Sequence, residues 1–441
     1  MKVLIACTPA TGHLNPLLAV AHGLIDDRHE VTFLTGSMLQ SRVEAIGAKF
    51  RALPAGADLD LRDMDAAVPE LKEVEPGLQW LGIAIQRFFV DTMPAQLAGV
   101  RELVREIQPD VIVADDMFFG VLPMLLGPRA NCPPIVLCGT SILHATREDG
   151  APLFLGLPPA TTQAERDNYA VITEEYDSVV NEPATRRINE LLAGLGVGLL
   201  TMPLFESVVV LADAYLQLSV PSFEFPRKLL PPNVHFVGTP PIIPNQAPVP
   251  PWAGDLDGSR KVVLVTQGTF ANYNFGLLVA PTLQALADEP DLLVVVTTGG
   301  RPVDSIPGAI PSNARVASYL PFEWILRKTD VFVTNGGYGS VNQAMSRGIP
   351  IVTAGLTEDK ADVNARIAWS GVGINLATNQ PDPTVLRGAV RAVLEQPDYR
   401  ARAASMADEF DKRDTRSLIV RIINEAATGK KAPARRKAAA A

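Results

Sequence analysis

Short apolar runs separated by amphipathic stretches repeat along this chain. Lys2–Cys7 (KVLIAC) reads as a buried strand, and Thr8–Gly12 as a Gly-containing loop. Leu14, Leu17, Leu18, Val20, Ala21 and Leu24 then recur at the spacing that gathers them on one helix face. After the polar break Asp26–Arg28 comes a second apolar run, Val31–Leu34. Strand, helix and strand in this order predict a βαβ unit, and so a parallel sheet. Asp110–Ala114 (DVIVA) and Pro134–Cys138 (PIVLC) are continuous apolar runs, suited to strands covered on both faces. Val208–Ala212 and His235–Val237 continue the series.

The rhythm breaks at residues 240–251, PPIIPNQAPVPP, where six of twelve are Pro, followed by WAGDLDGS at 252–259. Proline fixes φ and removes a backbone donor, so this segment reads as a linker. Beyond it, strands are expected at Val262–Thr266, Leu292–Thr297, Val331–Thr334 and Ile349–Ala354. Helices are expected at Phe275–Asp288 and Ser340–Arg347. The predicted class is α/β, with two Rossmann-like parallel-sheet domains facing across a cleft. Their expected bounds are 1–239 and 260–429, with the linker at 240–259. The last helix, about 415–428, is free to cross back to the first domain, and 430–441 is expected to be a disordered basic tail.

Composition sharpens this picture. A length of 441 residues suggests two or three domains, and the restarted rhythm selects two. With 47% hydrophobic and 20% charged residues, a disordered chain or a coiled coil is excluded. The net charge of −9 argues against a nucleic-acid partner, which needs a basic face. Residues 1–240 hold 17 Lys+Arg and 29 Asp+Glu, net −12, whereas residues 241–441 hold 22 and 19, net +3. An anionic ligand meets less repulsion in the second half. Three cysteines, Cys7, Cys132 and Cys138, form no C-x-x-C pair, which speaks against a disulfide framework or zinc site and for a reducing compartment. The stretch VLIAC is too short for a signal-peptide core, and Leu191–Phe205 is interrupted by Pro203 and too short to span a bilayer. The expectation is a cytoplasmic protein without stable membrane insertion.

Five constellations could carry chemistry. His13 sits where a strand-loop turns into a helix, at the carboxyl edge of the expected sheet, and could take a proton from a hydroxyl. The plain alternative is a helix-capping histidine. Asp115 and Asp116 follow the DVIV strand, where one could orient His13, or both could be a solvated turn. Asn335-Gly-Gly-Tyr338-Gly339-Ser340 places glycines between a strand and a helix N-terminus, a physical cradle for phosphate, or else an ordinary Gly-rich turn. Thr357-Glu358-Asp359-Lys360 could accept sugar hydroxyls, or be an acidic helix start. Ser318-Tyr319-Leu320-Pro321-Phe322 offers an aromatic face that could stack on a flat base, or simply pack. Three D-x-D pairs, Asp58/Asp60, Asp63/Asp65 and Asp255/Asp257, lie in polar loops and read as solvated turns rather than metal sites.

Taken in order, these residues resemble the UDP-glycosyltransferase superfamily of the GT-B fold, whose members use nucleotide sugars to modify small lipophilic molecules. Gly12-His13-Leu-Asn-Pro16 looks like its G-H-x-x-P catalytic-base loop, and Asp115 like the partner acid. Val265-Thr-Gln-Gly-Thr269 is similar to its V-S-x-G-S/T turn, and Tyr319-Leu320-Pro321-Phe322 to its W-x-P-Q base platform. The H-x-G-x-x-S phosphate loop matches Asn335 to Ser340, including Gly337, Tyr338 and Gly339, and the D-Q sugar contact matches Asp359-Lys360. The departures are Tyr319 for Trp, Asn335 for the phosphate-binding His, Gln343 for a ribose-binding Glu, and Lys360 for Gln.

The resemblance implies inverting transfer of a sugar from a UDP or TDP donor to an acceptor hydroxyl. His13 is then the base and Asp115 its partner, with preorganised donors replacing a metal. No cofactor and no metal are expected beyond the nucleotide-sugar co-substrate. The acceptor, a small lipophilic hydroxylated molecule, is expected among Leu78–Met93, Met117–Phe119 and Leu191–Phe205, with contacts from Trp80, Phe88, Phe89, Met117, Phe118 and Phe119. The acidic first half disfavours an anionic acceptor. A monomer or homodimer is expected. Two rival readings are a nucleotide-sugar 2-epimerase and a sugar-nucleotide-binding auxiliary protein without turnover.

Overall fold

The structure, a computed structural model, describes residues 1–61, 64–75, 77–130, 132–243, 247–269 and 272–429. The tail at 430–441 and Asp63 lie outside the described residues. The first sheet holds β1 (Lys2–Ala6), β2 (Glu30–Thr35), β3 (Lys49–Ala52), β4 (Val111–Asp115), β5 (Ile135–Gly139), β6 (Ala214–Gln217) and β7 (Val234–Phe236), in the order β3-β2-β1-β4-β5-β6-β7. The second holds β8 (Lys261–Thr266), β9 (Leu292–Thr297), β10 (Ala314–Ala317), β11 (Val331–Thr334), β12 (Ile351–Thr353) and β13 (Gly373–Asn375), in the order β10-β9-β8-β11-β12-β13. Every pairing is parallel. The two-domain α/β class is therefore present as expected.

Strand alternation builds a core on each face of each sheet. Along β1, Leu4 and Ala6 face one cluster while Val3 and Ile5 face another. Along β8, Val262 and Leu264 face one side and Val263 and Val265 the other. This two-sided burial explains why the central strands read as unbroken apolar runs.

Sequence and structure part in places that have local causes. The helix expected over Phe275–Asp288 forms only over Val279–Ala285. Asn274 Oδ1 accepts from Gly276 N–H at 2.9 Å, which holds a turn there, and Gln267 Oε1 accepts from Leu278 and Val279 N–H at the helix start. The Val208–Ala212 run is mostly helix (Leu204–Leu211), since a short apolar run carries no period of its own. The helix expected from Ser340 begins two residues earlier, at Tyr338. The strands Lys49–Ala52 and Ala314–Ala317 lie at sheet edges, where half-exposed residues leave little pattern.

Two features lock the halves together. The helix Thr415–Thr428 lays Ile419, Val420, Ile422 and Ile423 into the core that Val3 and Ile5 face, in the first half. Arg416 of this helix pairs with Asp26 at 3.0 Å. In return, Ile142, Val220 and Phe223 of the first half enter a core of the second. At this seam Arg366, 1% exposed, pairs with Glu224, 8% exposed, and its guanidinium stacks on Phe225 at 4.1 Å from the ring centroid. Glu224 also accepts from Leu143 N–H at 3.0 Å.

Removing one member of a buried ion pair strands the other, at a cost of about 3–5 kcal/mol. Glu224→Ala and Arg366→Ala are each expected to destabilise by that amount in urea unfolding. Glu224→Gln with Arg366→Met is expected to cost less than either single change. Equal or greater loss in the double variant would show that the pair contributes more than neutralisation of its own charges.

Candidate functional site

In an open parallel sheet, ligands sit beyond the carboxyl ends of the strands, where the strand order reverses. In the first sheet that point lies between β1 and β4, which bring Thr8 to His13 beside Asp115 and Asp116. In the second it lies between β8 and β11, which bring Gln267 to Thr269 beside Asn335 to Ser340. The motifs quoted above thus fall at both reversal points.

His13 lies in the first turn of the helix Thr11–Asp26, with a side chain 19% exposed. Its Nδ1 is 2.9 Å from Asp115 Oδ1. Asp115 is fully buried at the end of β4. Its carboxylate also accepts from Thr8 N–H at 2.6 Å, Thr8 O–H at 3.0 Å and Met117 N–H at 3.1 Å. Burial works against a charge on His13, but the Asp115 carboxylate and its hydrogen bond outweigh it, with Asp116 and Asp359 adding to the pull. The His13 pKa is therefore raised above 6.5. The tilted ring of Phe89 sits 6.2 Å from the imidazole, in a π-helical stretch over Ile85–Val90.

Asp116 is fully buried as well, and its oxygens accept from Thr140 N–H (3.2 Å), Thr140 O–H (3.0 Å) and Tyr215 O–H (2.9 Å). His144 Nδ1 lies 3.0 Å away. Burial pushes the Asp116 carboxyl up, but His144, then His13 and Thr140, hold it below the ordinary aspartate value. No local spacing in the sequence signals this contact, since His144 lies in a loop 28 residues beyond Asp116. The ligand atoms of His13, Asp115 and Asp116 lie within 4.8 Å of one another. Each carboxylate oxygen there already serves a hydrogen-bond donor, so a cation would have to displace them.

On the donor side, Gly336 turns the loop with φ +104°, and a Cβ there would fall 2.0 Å from Asn364 Oδ1, so only glycine fits. Asn335 Nδ2 donates to Gln267 O at 2.8 Å and ties the two loops together. Gly337 precedes the helix Tyr338–Met345, Ser340 O–H donates back to Gly337 O, and the space over Gly339 is open. The orphan N–H groups of this first turn face the crevice end of the sheet. Tyr319 is 51% exposed, as a stacking platform must be, and Thr269 is exposed in the turn after β8. Asp359 is held across the cleft by Ser141 O–H at 2.6 Å, and its burial raises its pKa.

Several expected contacts are placed differently. The Tyr338 side chain is buried against Phe223, and its hydroxyl accepts from Gln217 Nε2 at 2.6 Å, so it braces the seam and leaves only its backbone for a donor. Gln343 donates to Thr239 Oγ1 (2.9 Å) and to Pro240 O (2.6 Å), where the linker begins, which leaves Oε1 for a ribose. Lys360 is buried and ion-paired with Glu358 instead of standing open beside a sugar. Burial alone pushes its ammonium down to about 7, and the Glu358 carboxylate opposes that. Leu320 is buried in the core of the second half. Phe118 and Phe119 are buried in the main core of the first half, because the chain turns inward after β4. Phe88, Trp80 and Phe89 belong to a small separate cluster with Ala10, Leu61 and Leu71, and Met117 lies beside Asp115. No helix among the described residues is long and apolar enough to cross a membrane.

Comparison with known proteins agrees with this architecture. Residues 282–425 match the family model "Erythromycin biosynthesis protein CIII-like, C-terminal domain". The chain is 37% identical to 4'-demethylrebeccamycin synthase of Lentzea aerocolonigenes, over 94% of this chain and 96% of that one. It is 36% identical to UDP-glycosyltransferase 2 of Phaeomoniella chlamydospora, over 96% and 95%. Its fold is similar to that of CalG4, the calicheamicin glycosyltransferase, with a TM-score of 0.70 at 22% identity, over 98% and 99% of the two chains. The chain belongs to the UDP-glycosyltransferase-like superfamily of small-molecule glycosyltransferases, and its two facing parallel sheets are the GT-B fold of that superfamily.

Proposed function

We propose that this glycosyltransferase moves a sugar, with inversion and without a metal, from a UDP- or TDP-sugar to a hydroxyl of a small lipophilic acceptor. The observation that carries this reading is the His13–Asp115 pair at the β1/β4 reversal point. Both neighbours of His13 Nδ1, Asp115 Oδ1 at 2.9 Å and Thr140 Oγ1 at 3.1 Å, can accept its proton. That favours the Nδ1–H tautomer and leaves Nε2 as the base.

In the proposed step the acceptor oxygen forms a bond to the anomeric carbon as the bond from that carbon to the diphosphate oxygen breaks. The hydroxyl proton goes to His13 Nε2, and the electron pair leaves with the diphosphate. Asp115 stabilises the imidazolium. The departing negative charge meets the backbone N–H groups and positive dipole end of the Tyr338 helix. Donors fixed in place before the reaction stabilise that charge without a cation. Asp359 and Tyr319 are the sugar and base contacts in this reading, and Phe89 with its cluster the acceptor wall. UDP in the name of one relative supports the donor class.

Four outcomes test this reading. His13→Ala is expected to lower acceptor-dependent transfer roughly 10²–10⁴-fold, measured by mass spectrometry with UDP- and TDP-sugars; an unchanged rate removes His13 as base. The acid limb of kcat/KM is expected above pH 6.5, because the raised pKa keeps His13 protonated and inactive below it. Asp115→Asn removes the main charge that raises it, so the limb should move to lower pH while the rate falls. Gly336→Ala places a side chain against Asn364 at positive φ, about 1–3 kcal/mol of strain, and should raise donor KM at least roughly tenfold. An unaltered donor KM would put the diphosphate elsewhere.

A further inference from the structure

Asp115 and Asp116 each face one histidine, and only the first pair enters the mechanism above. The second pair is built with equal care. His144 is 2% exposed, with its ring between Phe154 and Phe205 at centroid distances of 5.7 and 5.4 Å. Both ring nitrogens are buried without an aligned hydrogen bond, so Nδ1 meets Asp116 as a close ion-pair contact and Nε2 meets no polar partner. A phenylalanine at this position would fill the same aromatic cluster without the penalty of an unpartnered nitrogen. The contact that distinguishes histidine here is Nδ1 at 3.0 Å from Asp116 Oδ2.

Asp116 reaches the catalytic imidazole through one residue. Thr140, the first residue after β5, gives its single hydroxyl proton to Asp116 Oδ1 at 3.0 Å. Its oxygen, 3.1 Å from His13 Nδ1, is then left with lone pairs only, and must accept. We propose that His144 is a positioning residue for the transfer reaction: through Asp116 and Thr140 it fixes the Nδ1–H tautomer of His13. The inference rests on His13 being the base.

The linkage has a definite direction. Without His144, burial favours the neutral form of Asp116, which can then donate to Thr140. The Thr140 hydroxyl is freed to turn its proton toward His13 Nδ1, which favours the tautomer with a protonated Nε2. The Asp116 charge that helps to raise His13 is also lost. The other titratable groups around this network are Asp115, Cys7, Cys138, Tyr215 and, from the second half, Asp359. None of them contacts the Thr140 hydroxyl.

The test compares His144→Phe, His144→Gln and Thr140→Val by full pH profiles of kcat and KM, with melting temperature as a check on folding. His144→Phe is expected to lower kcat roughly tenfold, the scale of one lost polar contact to a buried charge, with donor and acceptor KM nearly unchanged. Its acid limb should move to lower pH. His144→Gln, whose amide can donate to Asp116, should recover most of both effects. Thr140→Val should shift the limb the same way, and adding His144→Phe to it should change little more. A folded His144→Phe with the native kcat and acid limb overturns the proposal, as does a Gln variant that fails as badly as Phe. Should His144→Phe not fold, an unshifted limb in Thr140→Val overturns it alone. If His13→Ala abolishes transfer while His144→Phe is silent, only this inference falls. If His13→Ala is silent too, the assignment of the base falls first.

Discussion

The constraint on which this site depends is the burial of two adjacent carboxylates at the end of β4. An unpaired buried charge costs far more than a domain can lose, so each oxygen must find donors. Asp115 and Asp116 are both without solvent exposure, and successive residues point to opposite sides of the strand end. They therefore recruit two separate donor sets. One comes from β1 and the His13 helix, through Thr8 and His13. The other comes from β5, its following loop and β6, through Thr140, His144 and Tyr215. Satisfying the charges organises β1, β4, β5 and β6 around one crevice, and His13, the proposed base, is a member of the set that satisfies them.

The same rule fixes the halves against each other. The seam contains polar groups whose partners lie across it: Gln217 with Tyr338, Ser219 with Asn342, Ser141 with Asp359, and Glu224 with Arg366. Asp362 accepts from the N–H groups of Phe154 and Gly156, and a Cβ on Gly156, at φ +67°, would come within 2.7 Å of Ala361 O. Apolar contact tolerates sliding; a hydrogen bond lost in a dry interface does not. The helix that carries Asp359 is thereby held in register with the sheet that carries His13. This is why Tyr338, which looks available in the sequence, is committed elsewhere.

The central strands and the two reversal-point loops were legible because each is written locally. VLIA, DVIVA and VFVT are short apolar runs, and the Asn335–Ser340 glycines answer to a local turn. Edge strands such as Lys49–Ala52 were not legible, since half-exposed residues carry little pattern. Nor was the length of the Val279–Ala285 helix, which side chains of Asn274 and Gln267 decide. Gln343 illustrates the limit at the site. Its position in the motif is local, but its partners, Thr239 and Pro240, are about a hundred residues away and known only from the packed structure. His144 illustrates it from the other side, a histidine with no motif whose neighbour is a carboxylate on another strand.

The two sides of the crevice therefore differ in how they encode a ligand. The side proposed for the diphosphate is made of backbone: a glycine at φ +104°, a helix N-terminus and a β8 turn, all of which demand particular residue types at fixed spacing. The other side is made of side chains from Ala10 and from short helical segments before and around Phe89, with Leu61, Leu71, Ala84 and Phe88 gathered into a cluster apart from the main core. The buried members of this cluster belong to neither of the cores beneath the first sheet, and Phe89 alone of the three aromatics also packs against one of them, so the cluster can change shape with little disturbance to the sheets. Shape of that kind leaves no spacing rule in the sequence. In the proposed reading the same scaffold keeps one donor chemistry while the acceptor wall varies, and acceptor choice is then read from the packing of Phe88, Phe89 and Trp80 instead of from a motif.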